Sequence, residues 1–235
     1  MLTLTPRLVI VSGMGVAGKS SIAQGLVRRI ANAVFLGRDR ILYGGLMFVN
    51  ENESAPELPA FADYVSRDNV FPANCEIVET PFGQMTSVFH DASPAFYRRH
   101  GKEQSYLVAG RVAEDNLALG KVPVVEGFLT RHWKAGTLQA FVRQAIFAPY
   151  PVRIIHVEID LEEAYKRMLV RAKTDSEAAI RARPLLDKDA FMAHFRKVFQ
   201  LAPTELGSLP HLLLNSTVKS VEQCVQEAFD YVCAD

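Results

Sequence analysis

Residues 8–11, Leu-Val-Ile-Val, form a short unbroken apolar run that passes straight into Gly13-Met-Gly-Val-Ala-Gly-Lys-Ser20. Beyond the glycines, Ile22, Leu26 and Ile30 recur at helical spacing, with Ala23 and Val27 beside them. This succession constrains the fold more than any other feature. A β-branched run without alternation is a strand buried on both faces, which requires helices on both sides of a parallel sheet. The stripe that follows is one apolar helix face. Strand, glycine loop and helix in this order form the first unit of an α/β fold.

The loop carries Gly13-x-x-x-x-Gly18-Lys19-Ser20, a phosphate-binding pattern. In such a loop the backbone N–H groups of Gly13, Gly15, Val16, Ala17 and Gly18 turn inward around phosphate oxygens. Lys19 is expected to reach the β- and γ-phosphates. Ser20 would offer its hydroxyl to Mg²⁺, and Ser21 would bond the α-phosphate. The positive end of the helix points at the same anion. The same stretch also reads as Gly13-x-Gly15-x-x-Gly18, a dinucleotide fingerprint, with Asp39 near the spacing of a ribose-binding carboxylate. The two readings differ after the last glycine. A pyrophosphate diester has no γ-phosphate or Mg²⁺ to manage, so it has no use for Lys19-Ser20; ATP with Mg²⁺ needs both.

At 235 residues the chain has room for one α/β domain with an insertion, and 49% apolar content supplies its core. Lys and Arg total 26, as do Asp and Glu, which argues against a dedicated nucleic-acid binder. Cys75, Cys224 and Cys233 are odd in number and lack metal spacing, as suits a reduced cytoplasm. The N-terminal apolar run reads as a first strand rather than a signal peptide, and no stretch is long enough to cross a bilayer.

Further along, residues 33–36 read as a second strand that delivers Arg38-Asp39-Arg40 to its C-terminal end, where open α/β sheets bind ligands. Residues 44–105 are the least regular part and read as an acceptor-side insertion between strands 2 and 3. Within it, residues 50–59 look like a loop, and residues 76–89 like a hairpin turning near Pro81 and Gly83. A helix is expected over 106–119, stopped by Gly120, then a strand over 121–127 with Glu126 at its exit. A fourth strand covers 151–159. Asp160 caps the next helix, with Glu163 completing a capping box. A helix over 190–201, a strand over 211–214 and a last helix capped by Ser220 complete the chain. Residues 1–235 thus read as a single domain, with 165–188 as a helical lid.

Phosphoryl transfer asks a protein mainly for positioning and charge neutralisation. Asp39, at a strand end, is the expected acceptor-orienting carboxylate, with Arg38 and Arg40 holding its pKa low. Glu126 ends a hydrophobic strand, as a Mg²⁺-supporting or acceptor-facing acid does. Arg167 and Arg171 lie four apart on one helix face. Arg171 is the expected cation for the transferred group and Arg167 a nucleotide contact, with Arg181 and Arg183 as supports; planar guanidinium forks suit phosphate. His156 sits inside a strand and reads as a core or edge residue. Trp133, Phe89, Phe96 and Tyr97 read as packing more than as an acceptor pocket.

Together these residues resemble the small P-loop kinases of the nucleoside-monophosphate-kinase-like group, in particular the branch with zeta toxins, chloramphenicol phosphotransferase and polynucleotide-kinase-like enzymes. The resemblance covers the start to Arg40, residues 106–130, and residue 151 onward. Gly13 to Ser20 matches its loop, Asp39 its acceptor-orienting Asp, and Arg167 and Arg171 its lid-helix arginines. Leu214-Asn-Ser-Thr217 resembles the turn along the adenine. The resemblance implies a three-layer α/β fold with a five-stranded parallel sheet ordered 2-3-1-4-5, Mg-ATP as donor and a small-molecule hydroxyl acceptor. Two departures stand out. Glu126 replaces the usual Asp, and residues 44–105 match no acceptor-binding segment of the group. A regulatory nucleotide-binding module and a 5′-hydroxyl polynucleotide kinase are the alternative readings.

Overall fold

The computed structural model describes residues 1–41, 48–50, 76–80, 83–87, 102–144, 147–174, 186–199 and 209–234. The chain divides into two compact units, one of residues 1–37 and 110–235, the other of residues 38–109.

The larger unit is built on β1 (Leu8–Gly13), α1 (Lys19–Arg29) and β2 (Ala33–Gly37). The strands that join them are β6 (Val122–Glu126), β7 (Val152–Glu158) and β8 (His211–Asn215). The sheet runs β2-β6-β1-β7-β8 and every neighbouring pair is parallel. Counting only these strands, the order is 2-3-1-4-5, as expected. β1 lies at the centre and is buried at all six positions, so its lack of alternation follows from cover on both faces.

Alternate residues divide the core. Val9, Val11, Val122, Val124, Ile155 and Val157 join Ile22, Ala23 and Leu26 of α1 and Val225, Ala228 and Val232 of the last helix. Each such side chain, fully buried, contributes about 1.5–3 kcal/mol. On the other face, Trp133 sets its ring edge against His156 of β7 and His211 of β8. Trp133 is therefore a packing residue, 1% exposed.

The remaining helices of this unit are the latter part of α3 (Lys102–Ala118), then α4 (Thr130–Lys134), α5 (Thr137–Val142), α6 (Leu161–Thr174), α7 (Lys188–Phe199) and α8 (Val221–Cys233). α8 starts in a capping box: Ser220 Oγ accepts from the N–H of Gln223, whose side chain accepts from the N–H of Ser220. The box expected at α6 is only half formed. Asp160 Oδ1 accepts from the N–H groups of Glu162 and Glu163, but the N–H of Asp160 goes to Thr217 Oγ1 and Glu163 pairs with Arg167. A hydroxyl from the β8–α8 turn outcompetes the local carboxylate. Among the described residues, no helix is long and apolar enough to cross a membrane.

The smaller unit holds α2 (Arg38–Ile41), β3 (Phe48–Asn50), β4 (Glu76–Thr80) and β5 (Gly83–Ser87). β4 and β5 form the expected hairpin, Thr80 opposite Gly83. β3 adds an antiparallel edge to β5. Asn50, expected to open a loop, is its last residue; a three-residue strand carries too little pattern to be seen in sequence.

Candidate active site

The loop after β1 is shaped by its backbone. Gly13 has φ +142°, and a Cβ there would stand 2.3 Å from the carbonyl oxygen of Val157 on β7. The chain thus leaves the sheet pressed against its neighbour, where only glycine fits. Val16 has φ 59°, a left-handed conformation that is an outlier for a β-branched residue. Gly18 has φ +91° and is the N-cap of α1, with no side chain accepting from the first turn. That turn contains no acidic residue. Among the described residues, a Cβ at Gly15 or Gly18 would have no neighbour within 4 Å. The uncapped donors of an eleven-residue helix therefore meet no side chain among the described residues, the arrangement that binds an anion. Ser20 and Ser21 are exposed on the same turn. This cradle fits a triphosphate and, through the Ser20 hydroxyl, its Mg²⁺.

Lys19 is 9% exposed and its ammonium is tied to the loop: Nζ donates to the carbonyl of Met14 at 2.9 Å. The same Nζ is 3.8 Å from Glu126 Oε1 and 5.6 Å from the centre of the Phe128 ring. Glu126 is 6% exposed and fixed at the end of β6, opposite Val11 of β1 and Gly37 of β2. Two expected site residues far apart in sequence are thus brought together by strand register. Phe128, which the sequence did not single out, adds a ring face that favours a cation.

On the α1 side of the loop lies a cavity of about 210 Å³ bordered by Ala17, Gly18, Arg167, Ser216 and Cys224. Arg167 is held there: Nε donates to Glu163 Oε1 at 2.9 Å and Nη2 to the carbonyl of Ser216 at 2.8 Å. Ser216 belongs to the turn after β8 that the sequence singled out. Cys224 was missed as a lining residue, since helical spacing gives only its inward direction. Burial pushes its thiol pKa up, so it is a packing group rather than a nucleophile.

Arg171 is exposed one turn beyond Arg167 on α6. Arg181 and Arg183 lie outside the described residues, as do Phe89, Phe96 and Tyr97. Asp39 is the second residue of α2, two residues after Gly37. Its side chain and that of Arg40 lie outside the described part. Arg38 is buried within the smaller unit, where Nε donates to Ser105 Oγ at 3.1 Å and the guanidinium sits 5.3 Å from the Tyr106 ring centre.

On the opposite face of the sheet, His156 is 2% exposed. Its pKa is pushed down to about 4, first by burial, then by the charges of Lys19 and His211. It is a neutral imidazole at physiological pH. Its Nδ1 and the hydroxyl of its cross-strand neighbour Ser12 are both buried without a hydrogen-bond partner among the described residues. Of the two readings of His156, core or edge, its burial fits the core, which leaves the orphaned nitrogen unexplained. Among the described residues, no cluster of three or more His, Cys, Asp or Glu is arranged to hold a metal.

No protein-family model matches the chain, and no curated relative is detected. Solved structures do match. A candidate kinase from Chloroflexus aurantiacus superposes with a TM-score of 0.55 at 14% identity, over 97% of this chain and 96% of that one. A gluconokinase from Sinorhizobium meliloti gives 0.52 at 12% identity, over 97% and 92%. A sugar kinase from Janibacter sp. gives 0.50 at 13% identity, over 97% and 94%. With its five parallel strands in the order 2-3-1-4-5 and helices on both faces, the chain has the three-layer α/β P-loop kinase fold.

Proposed function

We propose that this chain is an ATP-dependent phosphotransferase that moves the γ-phosphate to a hydroxyl of a small-molecule acceptor. The observation that carries this reading is Lys19, buried at the uncapped start of α1 between the carbonyl of Met14 and the carboxylate of Glu126. A dinucleotide site has no role for that ammonium; a triphosphate does. The likeness in fold to a sugar kinase and a gluconokinase supports the same class.

In this reading Gly13, Gly15, Val16, Ala17 and Gly18 hold phosphate oxygens through the backbone, Ser21 meets the α-phosphate, and Lys19 neutralises the β- and γ-phosphates. Ser20 and Glu126 hold Mg²⁺, which supplies charge neutralisation to the phosphate oxygens. The cavity at Arg167 and Ser216 takes the adenine side of the nucleotide. Arg171 faces the transferred group as the lid, residues 165–188, comes over the site. Asp39 orients the acceptor hydroxyl and takes its proton late, as a loose transition state allows. Residues 44–105 serve the acceptor side of one kinase domain working in the cytoplasm.

ADP release with Mg-ATP tests the proposal when measured across a panel of polyols, sugars, sugar acids and nucleosides. Release that depends on one acceptor class, with a phosphorylated product, is the expected result. A slow release indifferent to every acceptor assigns the chain to nucleotide-hydrolysing modules instead.

A further inference from the structure

Val122 to Thr130 is buried at every position but one, and the exception is Phe128, which is half-buried. A single such ring is ordinary; its place is not. The backbone on either side of it is fixed. Before it, the N–H of Gly127 donates to the carbonyl of Val11 at 3.1 Å, which carries the pairing of β6 with β1 one residue past Glu126. After it, Leu129 is buried, and its carbonyl accepts from the N–H of Trp133, which is buried too. Phe128 is thus the link between a central strand and a buried helical turn, and rigid elements place its ring.

That ring stands at Lys19. Nζ lies 5.6 Å from its centre, inside the range of about 6 Å over which a ring face attracts a cation. The same ammonium faces the carbonyl of Met14 at 2.9 Å and Glu126 Oε1 at 3.8 Å. The three groups ask different things of it. The carbonyl takes one N–H. The carboxylate, after a small shift, would take another and lock the ammonium in a charge-assisted pair. The ring attracts the charge through its face and does not fix where the N–H groups point. It also stands on the phosphate side. β6 lies between β1 and β2, whereas the cavity at Arg167 and Ser216 is bordered by residues that follow β7 and β8.

We propose that Phe128 is a positioning residue: its ring holds the Lys19 ammonium at the phosphate end of the loop, offsets the pull of Glu126, and keeps the charge ready for the β- and γ-phosphates. The proposal rests on the reading of the loop as a triphosphate cradle. The gain is preorganisation, because a long side chain held in place beforehand loses less freedom when the nucleotide binds. With a weaker ring face the ammonium closes on the carboxylate, and the phosphates have to break that pair.

Replacing Phe128 by phenylalanines that carry one to five ring fluorines tests this, since fluorine drains the ring face of negative charge and changes its size little. The Kd of Mg-ATP, read by calorimetry on the intact protein, should weaken step by step, to about tenfold for the fully fluorinated ring. Phe128→Leu should lose as much, and Phe128→Tyr should stay close to the wild type. Adenosine monophosphate has no β- or γ-phosphate and should bind all of them alike. Urea midpoints of the fluorinated proteins should match the wild type. In NMR spectra the ring current should move the Lys19 Hε protons upfield, and Phe128→Leu should abolish that shift. A Kd for Mg-ATP that is flat across the series overturns the proposal. So does an equal loss for adenosine monophosphate, or a Lys19 Hε position indifferent to Phe128→Leu. Wild-type protein that binds no Mg-ATP overturns the cradle and this proposal together. Binding that follows the fluorine series without acceptor-dependent ADP release removes the phosphotransferase reading alone and leaves Phe128 positioning Lys19 in a nucleotide-binding module.

Discussion

Lys19 Nζ lies 3.8 Å from Glu126 Oε1, with both side chains buried. The pair is close enough for strong attraction and too far for a hydrogen bond. The ammonium is bonded instead to the loop carbonyl of Met14. The carboxylate thus balances the charge of Lys19 without locking it. Lys19→Ala is expected to fold and to lose kcat/KM by about 100-fold or more, on the scale of deleting one transition-state donor. It also removes the ammonium that stands beside the buried Glu126 at the phosphate loop, so the KM for ATP should rise. Wild-type ATP affinity in that variant counts against the cradle.

Glu126→Gln keeps the shape of the site and removes its charge. If Glu126 supports Mg²⁺, the apparent Mg²⁺ requirement should rise about tenfold while ATP binding in excess Mg²⁺ changes little. A titration of initial rate against Mg²⁺ at fixed ATP reads this. An unchanged Mg²⁺ requirement with a lower kcat would move Glu126 to the acceptor.

Asp39→Asn should bind ATP as the wild type does and transfer phosphate at least 100-fold more slowly, since a neutral amide cannot take the hydroxyl proton. Nucleotide affinity by calorimetry and acceptor-dependent ADP release, measured on the same preparation, separate the two properties. Full transfer by this variant removes Asp39 from the acceptor role.

How far the sequence revealed these features follows from their range. The strand, loop and first helix were legible because β-branching, glycine and helical spacing act over a few neighbours. The ends of the chain were legible for the same reason: Ser220 and Gln223 cap α8 through local bonds. What depends on packing was not. The closeness of Lys19 and Glu126 comes from the register of β1 with β6. The competition of Thr217 for the N–H of Asp160 comes from the pairing of β7 with β8. His156 shows the limit best. Its place in a strand was plain, but its unpartnered nitrogen depends on Ser12 and Trp133 from two other elements.

Gly13→Ala should destabilise the fold by at least about 2 kcal/mol, because the added Cβ meets the carbonyl of Val157 at 2.3 Å and a φ of +142° strains any L side chain. Gly15→Ala meets nothing within 4 Å among the described residues and should cost far less. Urea melts of the two variants test the contrast. Equal midpoints would mean that the loop does not press against β7.

His156 makes stability depend on pH, with a sign fixed by its lowered pKa. The ordinary value is 6.5 and the folded value is about 4. As pH falls below 6.5 the unfolded chain takes up a proton that the folded chain refuses until about 4, so stability is lost across that window and no further below it. The full effect is on the order of 3 kcal/mol. His156→Phe keeps an aromatic ring against Trp133 and has no proton to gain. Between pH 7 and pH 4.5 the wild type should therefore lose roughly 2 kcal/mol more than the variant in urea melts, because most of the window is crossed. Parallel losses in the two proteins would show that the imidazole is not held neutral by the fold.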